Sequence, residues 1–268
     1  MEQLEGKVAV VTGGASGIGR GIALALAKEG ALLVIADIEE TPAQAVAEEI
    51  RTDGGKSIAV KTDVADRDSL RALAVKAYEA FGAVHVLCNN AGVFVGGQVM
   101  ETPPEEWAWM WAVNVMGVVE GVRAFLPRMR AQGTEGHIVN TSSISGLYPT
   151  PNQGAYCASK YAVVAISERL RVELAPDGIG VSVLCPSGVR TRITESRRNR
   201  HGEFGGPVET APLVPGANPT AMEPAEAAAL VVRGIRDNRL YIHTHLEWKQ
   251  RFRERFDAIF DDFRAIES

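Results

Sequence analysis

Short β-branched runs alternate with helix-patterned stretches along nearly the whole chain, and that alternation restricts the fold more than any other feature. Residues 7–12 (KVAVVT), 31–37 (ALLVIAD) and 56–63 (KSIAVKTD) are separated by IGRGIALALAKEG and PAQAVAEEIRTDGG, a βαβαβ order. The runs are almost continuously apolar, as strands covered on both faces of a parallel sheet are, whereas the stretches between them repeat Ala and Leu at helical spacing. Further strands are expected at 84–88, 137–140, 180–184 and 240–242, with helices at 69–81, 107–130, 155–174 and 225–236. About seven strands joined by crossover helices predict an α/β fold, a doubly wound parallel sheet with helices on both faces.

The chain has 268 residues, 46% of them hydrophobic, enough to build a large core, and no Pro/Ser-rich linker interrupts it. A single domain over 1–268 is therefore expected. Two stretches depart from the alternation. Residues 192–220 are rich in Arg, Gly, Pro and Asn without period and read as a substrate lid, and residues 246–264 have the spacing of an amphipathic helical tail.

A net charge of -5 gives no electrostatic reason to expect nucleic acid or an anionic membrane as partner; a small neutral or cationic molecule fits better. The odd cysteines Cys88, Cys157 and Cys185 lie in apolar segments without metal-ligand spacing, so they read as buried, reduced thiols and no metal site is expected. The start, MEQLEGKVAVVTGG, carries acids where a leader needs basic residues, and no apolar run approaches membrane-spanning length. A cytoplasmic protein is the expectation.

The first strand runs into Thr12-Gly13-Gly14-Ala15-Ser16-Gly17-Ile18-Gly19 and directly into a helix. Glycines there let a pyrophosphate approach the backbone, and the helix N-terminus adds free N–H donors and a positive dipole end. Alone, such a segment marks only a turn. Its place between strand and helix of a βαβ unit is what points to a dinucleotide. Asp37 ends the second strand, where a carboxylate accepts hydrogen bonds from the adenosine ribose and repels a 2'-phosphate. Ile38 follows it, and Ser16 stands where a basic residue could offset that repulsion, so no positive charge nearby argues for NADP. The cofactor read from these residues is NAD.

Several further segments fall in order, each at a strand end or on the next helix: Asp63-Val64, Asn89-Asn90-Ala91-Gly92, Asn114, Ser142-Ser143, Tyr156-Cys157-Ala158-Ser159-Lys160 and Cys185-Pro186. Together with TGGASGIG they resemble the short-chain dehydrogenase/reductase family in its roughly 250-residue, Rossmann-fold form. The resemblance implies that Gly13, Ser16, Gly17, Ile18 and Gly19 hold the pyrophosphate, Asp37 and Ile38 the ribose, and Asp63 and Val64 the adenine. By the same resemblance Asn90, Ala91 and Gly92 shape the ribose pocket, and Pro186, Val189 and Thr191 border the nicotinamide carboxamide. The family commonly has Pro-Gly after the sixth strand; here Pro186-Ser187-Gly188 displaces the glycine by one place and leaves the loop path open.

Hydride transfer from an alcohol carbon requires a group to take the hydroxyl proton, and a phenol of ordinary pKa near 10 is a poor base at neutral pH. Tyr156 and Lys160 lie one helical turn apart, so the ammonium and an oxidised nicotinamide are expected to lower the phenol. Ser143, at the family's spacing ahead of Tyr156, is expected to bind the substrate oxygen, and Lys160 the nicotinamide ribose. Asn114 resembles the residue that kinks the long helix and positions a water for Lys160. Each residue type has a blander use in caps, turns and helix faces; the quartet in order is what carries the chemistry.

Ser143, Val95, Leu147, Gln153 and Tyr156 are the expected substrate contacts, with Phe94, Ile144, Tyr148, Pro149 and Ser187 nearby. This mainly apolar set favours an uncharged secondary alcohol or ketone of aromatic or alicyclic character. Arg197, Arg198 and Arg200 of the lid read as a solvated charge run, or as a clamp if the lid closes on an anion. The tail resembles that of relatives acting on bulky aryl or alicyclic carbinols. Trp107 and Trp111 share a helix face and read as core or subunit packing, and the resemblance implies a homotetramer or homodimer formed through that helix and the Tyr156 helix. Two other functions suit the same fold: an NAD-responsive binding module, against which the intact quartet speaks, and an NADPH-dependent keto or acyl reductase, against which Asp37 speaks.

Overall fold

The computed structural model describes residues 1–209 and 221–267. Among these, β1 (Val8–Thr12), β2 (Leu32–Asp37), β3 (Lys56–Lys61), β4 (Val86–Asn89), β5 (Gly136–Thr141), β6 (Ile179–Cys185) and β7 (Tyr241–His243) form one sheet. Every pairing is parallel, in the order β3-β2-β1-β4-β5-β6-β7. The doubly wound sheet expected from the strand pattern is thus present, and the order reverses between β1 and β4, which opens a crevice at their carboxyl ends.

Both faces of the sheet are covered. On one, Val11, Leu33, Ile35, Val86 and Val139 pack under α1 (Gly17–Lys28), α2 (Glu40–Thr52) and, later in the chain, the helix Pro224–Arg236 through Ile22, Leu26, Ile50, Val231 and Ile235. On the other, Val10, Val34, Leu87, Ile138 and Val181 meet Leu70, Leu73 and Ala77 of α3 (Arg67–Phe81) and Phe125 and Met129 of the helix Gly117–Ala131. Alternate residues of each strand serve opposite faces, so the strands read as unbroken apolar runs. The three cysteines are buried and free.

The long helix expected at 107–130 is three pieces: α4 (Pro104–Met110), a π-helical turn over Trp111–Met116, and α5 (Gly117–Ala131). Single π turns inside α-helices distort the ladder locally and recur where a side chain must be aimed into a site. This one contains Asn114. Of the tryptophans, Trp109 enters the core at 1% exposure and Trp111 stays 44% exposed.

After β5 come a short 3-10 turn at Ile144–Gly146 and α6 (Gly154–Leu174), which carries Tyr156 and Lys160. The expected unstructured lid is partly ordered: Ile193–Asn199 and Gly202–Phe204 are 3-10 turns. Residues 210–220 of that segment lie outside the described residues. Then α7 (Pro224–Arg236) starts with a reciprocal Glu223/Glu226 capping box, and α8 (Trp248–Asp261) and the short α9 (Arg264–Glu267) end the chain. No helix among the described residues is long and apolar enough to cross a membrane.

Candidate active site

The glycine-rich turn is built by close contact. A Cβ on Gly19 would stand 2.0 Å from the Gly13 carbonyl oxygen, and one on Gly13, at φ +63, would stand 2.8 Å from the Ala91 Cα. Both positions therefore require glycine. Asn90 fastens the turn to β4: its side-chain amide donates to the Thr12 and Gly13 carbonyls, while the Asn90 and Ala91 N–H groups donate to the Thr12 hydroxyl. Ser16 caps α1 without a side-chain hydrogen bond, and the first turn of α1 holds no acid. The Gly17-Ile18-Gly19 end of the helix is thus aimed into the crevice with its dipole uncompensated.

Asp37 is nearly buried and accepts from the Ala15 and Glu39 N–H groups at 3.0 Å each. Burial raises its pKa, opposed by these hydrogen bonds. Asp37, Ile38, Asp63, Val64 and Gly92 line one cavity with Trp109, Lys160 and Thr191. Ser196, Arg198, Asn199 and His201 of the loop after β6 also line this cavity. Arg198 pairs with Glu39 at 2.5 Å and also lowers the Asp37 pKa through its charge, and the His201 ring meets Asp63 at 2.5 Å. The expectation of no cation near Asp37 is overturned: Arg198 comes from a segment that local sequence around β2 cannot reveal.

Lys160 is 2% exposed and donates from Nζ to the Thr141 carbonyl at 2.9 Å. Burial lowers its ammonium to about 8. Asn114 sits across Gly92 from it, locked by Oδ1 to the Val93 N–H at 2.8 Å and by Nδ2 to the Val93 carbonyl and the Ser159 hydroxyl. Tyr156 shares a second, larger cavity with Ser143. Its phenol is pushed up to about 12 by burial, with the Ser143 hydrogen bond pulling the other way. Desolvation of the buried phenolate outweighs that hydrogen bond. Ser142, by contrast, spends its hydroxyl on the Lys160 carbonyl at 2.8 Å, which leaves Ser143 as the serine beside Tyr156.

The family model described as short chain dehydrogenase matches residues 7–202. The chain belongs to the short-chain dehydrogenase/reductase family. A C alpha-dehydrogenase of Sphingobium sp. (strain NBRC 103272 / SYK-6) is 33% identical over 274 residues, covering 100% of this chain and 90% of the relative. A 2,5-dichloro-2,5-cyclohexadiene-1,4-diol dehydrogenase of Sphingobium indicum is 36% identical over 219 residues, covering 78% and 87%. A solved short chain dehydrogenase/reductase from Burkholderia phymatum, in complex with NAD, superposes with a TM-score of 0.90 at 39% identity and covers 98% of this chain and 97% of its own. This short-chain dehydrogenase is thus an oxidoreductase that acts on CH–OH groups with a nicotinamide cofactor.

The crevice of this short-chain dehydrogenase fits such a cofactor on three counts. Its α1 N-terminus is uncapped, the Lys160 ammonium is buried with one protein acceptor among the described contacts, and Trp109 Nε1 is buried on the cavity wall without a protein partner. Thr191 lies against Gly17, and Val189 bridges to Met222, so the Pro186-Ser187-Gly188 departure keeps the loop beside the glycine-rich turn.

Two expected substrate contacts face elsewhere. Val95 is not on the cavity wall but buried in the apolar cluster with Tyr156, Trp109 and Ala155, and Leu147 packs toward Val164, Val183 and Cys185. The cavity wall around Ser143 and Tyr156 is instead Phe94, Ile144, Pro151, Gln153, Ser187 and Trp248. Phe94 meets the Tyr156 ring edge-on at 4.9 Å, held by hydrogen bonds between its backbone and Ser196. Trp248 donates its indole N–H to the Ser187 hydroxyl at 3.0 Å and leans on Tyr148. Nothing in the local sequence of Trp248 or Ser196 points to this cavity. The apolar spacing of the tail and the serine within the Arg-rich segment were the available signals, and neither names its partner.

Proposed function

We propose that this short-chain dehydrogenase interconverts an uncharged, mainly apolar secondary alcohol, aromatic or alicyclic, with its ketone, and uses NAD in preference to NADP. The observation that carries the substrate reading is the pairing of the loop arginines. Arg190 pairs with Glu223, Arg192 with Glu195, Arg197 and Arg200 with Glu106, and Arg198 with Glu39, all at 2.5–3.1 Å. Arginines engaged in these pairs are less available to clamp a carboxylate, which supports an uncharged substrate. The aromatic wall of Phe94 and Trp248 then supplies the binding energy. The alicyclic diol named for the Sphingobium indicum relative accords with this.

The nicotinamide cofactor supplies the hydride acceptor and, when oxidised, a positive ring. Asp37 accepts from the adenosine ribose and repels a 2'-phosphate; the Burkholderia protein's NAD complex supports that choice. Ser143 donates to the substrate oxygen and stabilises its developing charge. Tyr156 Oη takes the hydroxyl proton in oxidation and returns it in reduction. Lys160 holds the ribose, while Asn114 braces the Val93 backbone across Gly92 from it. A cytoplasmic homodimer or homotetramer formed through α4–α5 and α6 is part of the same reading.

The test is absorbance at the reduced-nicotinamide band over a panel of aryl carbinols, alicyclic alcohols and hydroxy acids, each with NAD and with NADP. Turnover is expected on the carbinols and alicyclic alcohols with NAD. Preference for a hydroxy acid would overturn the substrate reading, and equal use of both cofactors the role of Asp37.

A further inference from the structure

Gln153 stands at the head of α6, one turn before Tyr156, yet its side chain makes no cap hydrogen bond to that helix. Its Oε1 accepts instead from the Ser145 hydroxyl at 2.9 Å and from the Thr150 hydroxyl at 2.8 Å. The Cys157 Sγ lies 3.2 Å from the Thr150 hydroxyl oxygen and can supply it with a proton. Both hydroxyl protons are then free for the amide, so the end of the amide that faces them is the carbonyl. The Nε2 end has no partner among the described residues, and the side chain lines the cavity that holds Ser143 and Tyr156.

The backbone beneath this amide is fixed from both sides. Gly97 donates its N–H to the Asn152 carbonyl at 2.8 Å, and the Gly154 N–H donates to the Gly97 carbonyl at 2.9 Å. Between them Asn152 holds a left-handed φ of 54, which Asn tolerates better than most residues. The amide is also tied to the reacting end of the cavity: Ser145, which donates its hydroxyl to Gln153, donates its N–H to Ser143 Oγ at 3.1 Å. Two hydrogen bonds therefore connect Gln153 to the serine beside Tyr156. The Phe94, Ile144 and Trp248 side chains of the same wall carry no acceptor for an amide N–H. An apolar substrate surface laid over Nε2 would strip it of water and return nothing, whereas a substrate oxygen would take water's place.

We propose that Gln153 is a specificity-determining donor that selects alcohols carrying a second, hydrogen-bond-accepting oxygen close to the carbinol carbon, an ether, hydroxyl or carbonyl. The proposal rests on the secondary-alcohol reading of the same cavity.

Two near-isosteric pairs of alcohols test it on the parent protein, Gln153→Leu and Gln153→Glu: trans-2-methoxycyclohexanol against trans-2-ethylcyclohexanol, and the corresponding 3-substituted pair, each oxidised with NAD and with NADP. Within a pair an oxygen replaces a methylene. The methoxy-over-ethyl ratio of kcat/KM is expected to be at least about tenfold higher in the parent than in Gln153→Leu for one of the pairs, mainly through KM. Comparing ratios cancels the alcohols' own reactivity. Gln153→Glu keeps an oxygen for Ser145 and Thr150 but sets an oxygen where the amide NH2 stood, so its ratio should fall at least as far, which separates loss of the donor from disturbance of the network. Equal ratios in the parent and Gln153→Leu, as a merely structural role would give, or a parent-like ratio in Gln153→Glu, would overturn the proposal and leave the secondary-alcohol reading standing. Absence of turnover on all four alcohols would overturn that reading and the proposal together.

Discussion

Arg198 Nη2 donates to Glu39 Oε2 at 2.5 Å and so carries a cation from the loop after β6 to the end of β2, beside Asp37. Glu39 neutralises it there. The carboxylate proposed to select against a 2'-phosphate thus has a cation beside it, paired with Glu39 and also bonded to the Glu195 carbonyl.

The unaltered enzyme is expected to use NAD at least about tenfold more efficiently than NADP, since an unpaired carboxylate against a phosphate costs more than about 1.4 kcal/mol. Glu39→Gln, which releases Arg198 without altering Asp37, should raise kcat/KM for NADP several-fold. Adding Arg198→Ala should remove that gain. Parallel cofactor titrations decide it: an unchanged NADP efficiency in Glu39→Gln would place Arg198 out of reach of the ribose.

Tyr156 is held at about 12 by burial, and the Ser143 hydrogen bond is what pulls it down. A raised phenol pKa favours the protonated form, so alcohol oxidation should climb with pH while ketone reduction falls. Ser143→Ala should lower turnover and move the oxidation profile to still higher pH. Tyr156→Phe should abolish turnover with cofactor affinity nearly unchanged, as followed by nucleotide fluorescence. An oxidation rate flat from about pH 6 to about pH 10, with hydride transfer limiting, excludes the tyrosinate as base.

Lys160 falls from an ordinary 10.5 to about 8 on burial. Between those values the unfolded chain keeps a proton the folded chain has released, so stability increases with pH across the window. Below it the fold bears the whole penalty of a buried cation, roughly 3 kcal/mol. Lys160→Met is therefore expected to raise the thermal midpoint at pH 7 by several degrees in cofactor-free protein, with the gap closing toward pH 10.5, while activity is lost. A gap that ignores pH in a melting series would show that the ammonium is not the source.

Trp248 lines the cavity that holds Ser143 and Tyr156 and is fixed there by its hydrogen bond to Ser187. Trp248→Ala should raise KM for a bulky aryl carbinol by about tenfold, the worth of one buried aromatic contact, and leave kcat within a few-fold. Ser187→Ala should have a smaller effect in the same direction. Equal KM values for a bulky and a small alcohol in the Trp248 variant and its parent would remove the tail from the substrate wall.

The sheet was legible because its signal is local. Unbroken apolar runs such as ALLVIAD and the glycines of TGGASGIG answer to strand burial and turn sterics within a few residues, and Tyr156 and Lys160 are one helical turn apart on any helix. The tertiary structure alone decided the remainder. Arg198 meets Glu39 across a sequence separation of 159 and His201 meets Asp63 across 138, and charge composition does not state partners. Val95 and Leu147 look no different from Phe94 and Ile144 in an apolar string, because which neighbour faces a cavity depends on the path of a loop and not on its hydropathy. The Tyr156 phenol needed the same depth of view. A cation one turn away is written in the sequence, but the burial that raises the phenol exists only once the folded chain, Phe94 included, has closed around the ring.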